Sequence, residues 1–215
     1  MNPFDTEAAR YDAWFDSSDG RLIFAHETEC LRGIMDKLEG RWLEVGVGTG
    51  RFAQALGVRE GIDPSAAVLS FAAQRGILTR QGAGENLPYE DAGFNGVLMV
   101  VAICFLDDPA KAFEECRRVL KKDGRLVIGL VPADSPWGEL YARKGRDGHR
   151  FYSVATLYTC DQVIRLAAEA GFSFESARSC LFTPPGEPAA DPVSGEGIIT
   201  NAGFVALKFQ MTDHS

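Results

Sequence analysis

The sequence predicts an α/β fold: a doubly wound, mostly parallel seven-stranded sheet with an antiparallel C-terminal edge. Three observations carry this. Short apolar strands alternate with helical segments over residues 42–131, and their connections are short. A glycine-rich turn follows the first strand, where open α/β sheets bind ligands. The last two strands, residues 172–182 and 202–210, follow one another like the arms of a long hairpin.

Taken in order, Ile23, Cys30, Leu31, Ile34, Met35 and Leu38 form a helical stripe over residues 22–38, ended by Gly40. Residues 42–45 read as the first buried strand, and a helix follows the glycine turn over 52–56. The second strand covers 58–62. Ser65 is placed to cap a helix that runs to Arg75 and closes at Gly76. Residues 77–80 form strand three. Residues 96–101 are apolar throughout, as expected of a central strand covered on both faces. Asp108-Pro109 is a helix start, with the helix running to Leu120. Asp123-Gly124 then turns the chain into the strand 125–131.

The rhythm changes after residue 131. Residues 132–158 read as an irregular aromatic insert containing Trp137, Tyr141, Phe151, Tyr152 and Tyr158. Thr159 and Gln162 have capping-box spacing for a helix ending near Gly171. Residues 183–201, rich in Pro, Gly and acid, read as a loop. The 215 residues make one domain (1–215), with an N-terminal helical cap (1–40) and a substrate lid formed by the insert and the loop.

The net charge of −8 disfavours bulk nucleic-acid binding and suits a small-molecule substrate. The basic stretch at Arg143, Lys144 and Arg146 fits a solvated loop, or an anion-binding surface. Five cysteines without a CxxC pair, and an N-terminus without an apolar block, point to a reduced cytoplasmic protein. No apolar run reaches membrane-spanning length, so no membrane association is expected.

Gly46-Val47-Gly48-Thr49-Gly50 would let a ligand lie against bare main chain. Asp63 ends the next strand, where a carboxylate can accept two hydrogen bonds from a ribose diol; it can also cap the Ser65 helix. Glu44 lies inside an apolar strand, where an unpaired charge is costly and a cationic ligand group would explain it.

Together these strings resemble class I S-adenosylmethionine-dependent methyltransferases. Residues 43–50 are similar to the family's first motif, and Gly61, Ile62, Asp63, Pro64 and Ser65 to its second. Residues 82–89 resemble the loop bordering the adenine. Residues 94–101 and 117–126 resemble the later core of the subgroup that includes ubiquinone/menaquinone-type methyltransferases.

The resemblance implies a Rossmann-like methyltransferase fold that transfers a methyl group from S-adenosylmethionine to a small molecule. It implies that Glu44 holds the methionine amino group, that Gly46, Gly48 and Gly50 border the methionyl and ribose parts, and that Asp63, next to Pro64, binds the ribose. Gly84 and Glu85 would lie beside the adenine, Ala102 and Ile103 near the sulfonium, and Tyr11 over the cofactor, unless Tyr11 is simply a packed surface aromatic. The chain departs from the family at Ala83, where relatives carry an aspartate that bonds the adenine amino group, and at Asn95, where an aspartate is usual.

Methyl transfer needs alignment more than a conspicuous base. His149 is the candidate base, with simple exposure as its alternative; Cys104 reads as an inert buried thiol. Asp108 is used as an N-cap, so no metal is predicted beside Asp107. The Asn/Asp-Pro-Pro-aromatic string of amide or adenine-amino methylation is absent after the central strand, as is the Pro-Cys pair of cytosine C5 methylation. Two other functions remain open: a non-catalytic S-adenosylmethionine-binding regulator, and a nicotinamide-dependent oxidoreductase, whose G-x-G-x-x-G/A fingerprint Arg51 breaks.

Overall fold

The computed structural model describes residues 3–35, 39–187 and 192–212. Leu38, placed by sequence in the first stripe, lies outside the described residues, as do 188–191 of the loop. Three helices occupy the described part of the N-terminal cap: α1 (Pro3–Thr6), α2 (Ala8–Trp14) and α3 (Ser18–Ile34). The last starts earlier than its apolar stripe because the Ser17 side chain accepts from Gly20 N at 3.0 Å and caps it.

Strands β1 (Trp42–Val45), β2 (Glu60–Asp63), β3 (Leu78–Gln81), β4 (Phe94–Val100) and β5 (Leu120–Leu130) alternate with α4 (Arg51–Leu56), α5 (Ala66–Gln74) and α6 (Pro109–Val119). There follow α7 (Pro136–Arg146), α8 (Cys160–Glu169), β6 (Phe172–Cys180), β7 (Ser194–Glu196) and β8 (Phe204–Met211). The strand order is β3-β2-β1-β4-β5-β8-β6-β7. The first five pair in parallel, and β8, β6 and β7 add antiparallel.

Among the described residues the sheet therefore has eight strands rather than the expected seven. The extra one, β7, is a three-residue edge paired with β6 through Arg178–Glu196 and Cys180–Ser194. Ser-Gly-Glu has no apolar alternation to announce it. A second difference lies in the insert. Residues 136–146 are helical, with Ser135 Oγ accepting from Gly138 N at 3.0 Å and Pro136 in the first turn. A third is at Ser65, which holds the N-cap position without a side-chain capping bond; Asp63 Oδ1 accepts from Ser65 N instead, at 2.9 Å.

The central strand explains the two layers. Val97 and Met99 pack with α6 and α8, including Phe113, Cys116 and Val163. Leu98 and Val100 face the opposite layer of α3, α4 and α5, with Leu31, Phe52 and Ala72. Alternate side chains of one strand thus enter both cores. Each fully buried Leu, Val or Phe contributes about 1.5–3 kcal/mol of transfer free energy. The order reverses between β1 and β4, so their carboxyl ends form the topological switch point.

Candidate active site

The glycine turn leaves β1 at that switch point. Gly46, Gly48 and Gly50 have φ of 73°, 51° and 79°, a region L side chains rarely adopt. Gly46 is also sterically required: a Cβ there would stand 2.4 Å from Cβ of Ala102, at the end of β4. A Cβ on Gly48 would meet only Tyr11 Cε1, at 3.7 Å. Space beside Gly48 is thus bounded by the aromatic cap rather than by the core.

Asp63 braces the turn. Its Oδ2 accepts from Gly48 N at 3.0 Å and its Oδ1 from Ser65 N, so it joins the turn to the start of α5. Each oxygen keeps a lone pair for a further donor. Burial raises its pKa against those two backbone bonds. The helix-start and ligand-facing readings of Asp63 therefore describe one group. Pro64 is exposed, and its carbonyl accepts from Gln81 Nε2 at 2.9 Å.

Glu44 is 1% exposed, and its Oε2 has no hydrogen-bond partner among the described residues. Burial pushes its carboxyl well above the ordinary range, the Ala53 backbone opposes this, and Asp63 adds repulsion. A buried acceptor of this kind beside bare main chain fits a ligand with an ammonium group and a ribose.

Tyr11 covers the turn from α2. Its ring contacts Phe4, Phe15 and Phe151, with centroids 5.4, 5.4 and 5.6 Å away. Burial raises its pKa, and repulsion from Glu27, Asp63 and Glu44 adds to the rise. Gly84 is buried against Val45 and Leu106, and Ala83 is exposed. The Glu85 side chain is committed: its Oε1 accepts from Asp107 N at 2.9 Å and Asp108 N at 3.3 Å. Ile103 is buried and Ala102 half-buried where β4 ends. His149 is exposed and stacks on Tyr152, with centroids 4.5 Å apart.

Sequence reading missed three features. Asp12 bonds Arg51 and Arg75, tying α2 to the turn and α5. Tyr141 and Tyr152 stack with centroids 4.3 Å apart. Glu27 of α3 is 6% exposed, an acid inside an apolar layer. Arg51 directly follows the glycine turn and Asp12 directly follows Tyr11, which was the available signal; nothing local marks Glu27.

Among the described residues no group of three or more His, Cys, Asp or Glu is gathered as for a metal ion. No helix there is long and apolar enough to cross a membrane.

Residues 43–128 match the family model described as a methyltransferase domain. The chain is 44% identical over 202 residues to an uncharacterized protein of Mycobacterium tuberculosis, covering 94% of this chain and 71% of that one. It is 28% identical to a demethylmenaquinone methyltransferase of Thermotoga maritima, covering 81% and 89%. A crystal structure from T. maritima, described as an S-adenosylmethionine-dependent methyltransferase and possible histamine N-methyltransferase, superposes with a TM-score of 0.89. It is 33% identical, and 97% of each chain is covered. With the switch-point turn and the strand order in place, these similarities settle against the regulatory and nicotinamide readings: the chain belongs to the class I S-adenosylmethionine-dependent methyltransferases and is a methyl-transferring enzyme.

Proposed function

We propose that this enzyme methylates a small molecule at a site formed by Tyr11, Glu44, Gly46, Gly48, Gly50, Asp63, Pro64, Gly84, Glu85, Ala102 and Ile103. The observation that carries the assignment is Glu44, whose buried Oε2 lacks a partner beside the bare turn. S-adenosylmethionine supplies an electrophilic methyl group when bound. Glu44 holds its amino group, Asp63 its ribose hydroxyls, and Gly46 and Gly48 admit it against main chain. Ala102 and Ile103 floor the reacting end. Gly84 and Pro64 border the nucleoside, and Glu85 contributes by fixing that loop to the start of α6.

The N-terminal cap and the insert act as one lid. Phe4 contacts Phe105 and Phe151 at 5.0 Å each, Arg150 pairs with Glu7, and Trp137 Nε1 donates to Thr183 O at 2.9 Å. Such a lid excludes water and aligns the acceptor, which is most of what methyl transfer requires. The T. maritima relative described as a possible histamine N-methyltransferase adds amines to the acceptors worth testing. Five buried free thiols suit the cytoplasm.

Calorimetry with S-adenosylmethionine and S-adenosylhomocysteine tests the site. Micromolar binding of both, lost in Glu44→Gln and Asp63→Ala, is expected. Unchanged affinity in folded variants would move the cofactor elsewhere.

A further inference from the structure

We infer that the acceptor is a small aromatic carboxylate, docked in a groove beside Arg146 of α7 with its reacting end carried past Tyr141 and Tyr152 to the floor of the site. The inference rests on the cofactor site proposed above, and it specifies the other substrate.

Two spaces adjoin along this route. An inner cavity of about 30 Å³ is bounded by Val101, Ile103 and Cys104 beyond the end of β4, and by Leu130 and Val131 at the end of β5. A surface groove of about 510 Å³ runs beside Gly145, Arg146 and Ser153. Tyr141, Tyr152, Ala155 and Leu157 line both spaces, so they form the wall between them. The two tyrosine rings are stacked, 4.3 Å apart and 11° from parallel, which makes that wall flat and aromatic.

The inner cavity meets the cofactor turn. Ala102 lies between Val101 and Ile103, and its Cβ is the atom that a Cβ on Gly46 would approach to 2.4 Å. Val101 has φ of 49°, rare for a β-branched residue, and its N–H donates to Gly129 O at 2.8 Å. Backbone strain of this kind concentrates at ligand sites. The cavity has room for about one water-sized group, whereas the groove has the size of a small-molecule site. The body of the acceptor therefore lies in the groove, and only its nucleophilic end enters the cavity.

Charge narrows the class. Among the described residues that line either space, Arg146 alone is charged. Arg143, Lys144 and Arg146 stand in the last turn of α7, where cations suit the negative end of a helix. That accounts for a basic turn, but not for a cation at the groove. Arg146 makes no ion pair among the described residues. Lys144 Nζ adds positive charge 5.8 and 6.0 Å from the Tyr141 and Tyr152 ring centroids. Glu27 acts on both tyrosine hydroxyls from α3, but burial raises its carboxyl to about 8, so it is neutral at pH 7. An aromatic wall with an unpaired guanidinium at its rim selects a flat body that carries a carboxylate, which the guanidinium fork can hold through two bonds.

The test is calorimetry of the full chain saturated with S-adenosylhomocysteine, at pH 7 and low salt. The probes are 4-hydroxyphenylacetate, its uncharged amide 4-hydroxyphenylacetamide, and tyramine, which share one ring and hydroxyl and differ in charge. The acid should bind at least about threefold tighter than the amide, the scale of one exposed ion pair, and tyramine no tighter than the amide. Arg146 is exposed, so its variants should fold: Arg146→Gln should abolish the preference for the acid, and Arg146→Glu should reverse the order of acid and amine. Two methyl groups flanking the hydroxyl, in 4-hydroxy-3,5-dimethylphenylacetate, should weaken wild-type binding about tenfold, and Tyr152→Ala should cut that penalty to about threefold or less. An acid-to-amide ratio below about threefold, no binding of the acid, or tyramine as the tightest ligand overturns the inference without any variant. A methyl penalty unchanged in Tyr152→Ala that still binds S-adenosylhomocysteine takes the tyrosines out of the route. Failure of S-adenosylhomocysteine to bind the wild type overturns the cofactor site instead, and the acid and amide are then compared without it.

Discussion

Asp12 and Arg51 meet side-on: Arg51 Nε donates to Asp12 Oδ1 at 2.9 Å and Nη2 to Oδ2 at 2.9 Å. Asp12 Oδ2 also accepts from Arg75 Nη2 at 2.9 Å, and Arg75 Nη1 donates to the Thr49 carbonyl at 3.0 Å. Two arginines, on the helices after β1 and β2, thus hold α2 and place Tyr11 above Gly48.

Asp12→Asn should loosen this clasp. A charge-assisted bond is worth about 1.5–3 kcal/mol, so the melting temperature should fall by about 4–10 °C. S-adenosylhomocysteine affinity should fall about fivefold as Tyr11 loses its placement. Burial would raise the Asp12 pKa, but hydrogen bonds from Arg51, Thr49 and Arg75 prevail and hold it at about 2. Its contribution is therefore complete above about pH 5 and lost as pH falls toward 2. Equal melting of variant and wild type at pH 7 would show that the clasp is unimportant.

Glu44→Gln should separate stability from binding. The wild-type carboxyl is raised by burial, so the free fold is penalised as pH rises past the ordinary carboxylate range. Without cofactor, the variant should melt higher than wild type by about 3 °C or more at pH 8, and the gap should shrink at pH 5. Its cofactor affinity should fall more than tenfold. Wild-type binding should also release a proton over the pH range in which the free carboxyl is still protonated, seen as a dependence of calorimetric heat on buffer ionisation. A variant no more stable than wild type at any pH would contradict the charge penalty.

Two glycine substitutions distinguish packing from ligand space. Gly46→Ala combines positive φ with a 2.4 Å approach to Ala102 and should cost more than about 2 kcal/mol. Gly48→Ala meets nothing closer than 3.7 Å, so it should cost about 1 kcal/mol while weakening S-adenosylhomocysteine about tenfold. Similar ratios of binding loss to stability loss in both would remove the distinction.

His149→Ala should leave kcat within about threefold. The imidazole rests on Tyr152, which itself stacks on Tyr141, and is exposed on its other side. Partial burial, then Lys144 and Arg10, lower its pKa, so it is neutral at pH 7. A drop of a hundredfold in kcat with unchanged KM would restore it as the base.

The sheet and cofactor turn were legible because their signals are local. Strand periodicity, the spacing of Gly46, Gly48 and Gly50, and the Asp108-Pro109 start each lie within a few residues. Asp108 indeed caps α6, accepting from Lys111 N at 3.1 Å. Helix α7 escaped because Gly138 and Gly145 weaken its propensity, although Ser135-Pro136 was a usable start signal. Glu27 escaped for a deeper reason. On a helix, the two acids between Phe24 and Cys30, Glu27 and Glu29, both read as solvent-facing positions, and which of them is buried depends on α3 packing against β6 and β8 from far along the chain.

Ala83, one of the two departures from the family pattern, can be reversed. The turn around it is closed by Gly82 N donating to Asp63 O at 3.1 Å and Asn86 N to Ala83 O at 3.2 Å. Ala83 is exposed, so a longer side chain has room, whereas buried Gly84 beside it has none. Glu85 offers little substitute, since its Oε1 already serves the Asp107 and Asp108 amides. Ala83→Asp would therefore supply an acceptor for the exocyclic adenine amine that the wild type lacks. A net hydrogen bond of about 0.5–1.5 kcal/mol corresponds to roughly twofold to tenfold tighter S-adenosylhomocysteine binding. The 6-oxo analogue, S-inosylhomocysteine, has no amine to donate, and a new carboxylate would face its carbonyl oxygen. Its affinity should stay level or fall, so the ratio between the two ligands should widen. A ratio unchanged by the substitution would place the adenine away from Ala83 and leave Gly84 as a packing residue alone.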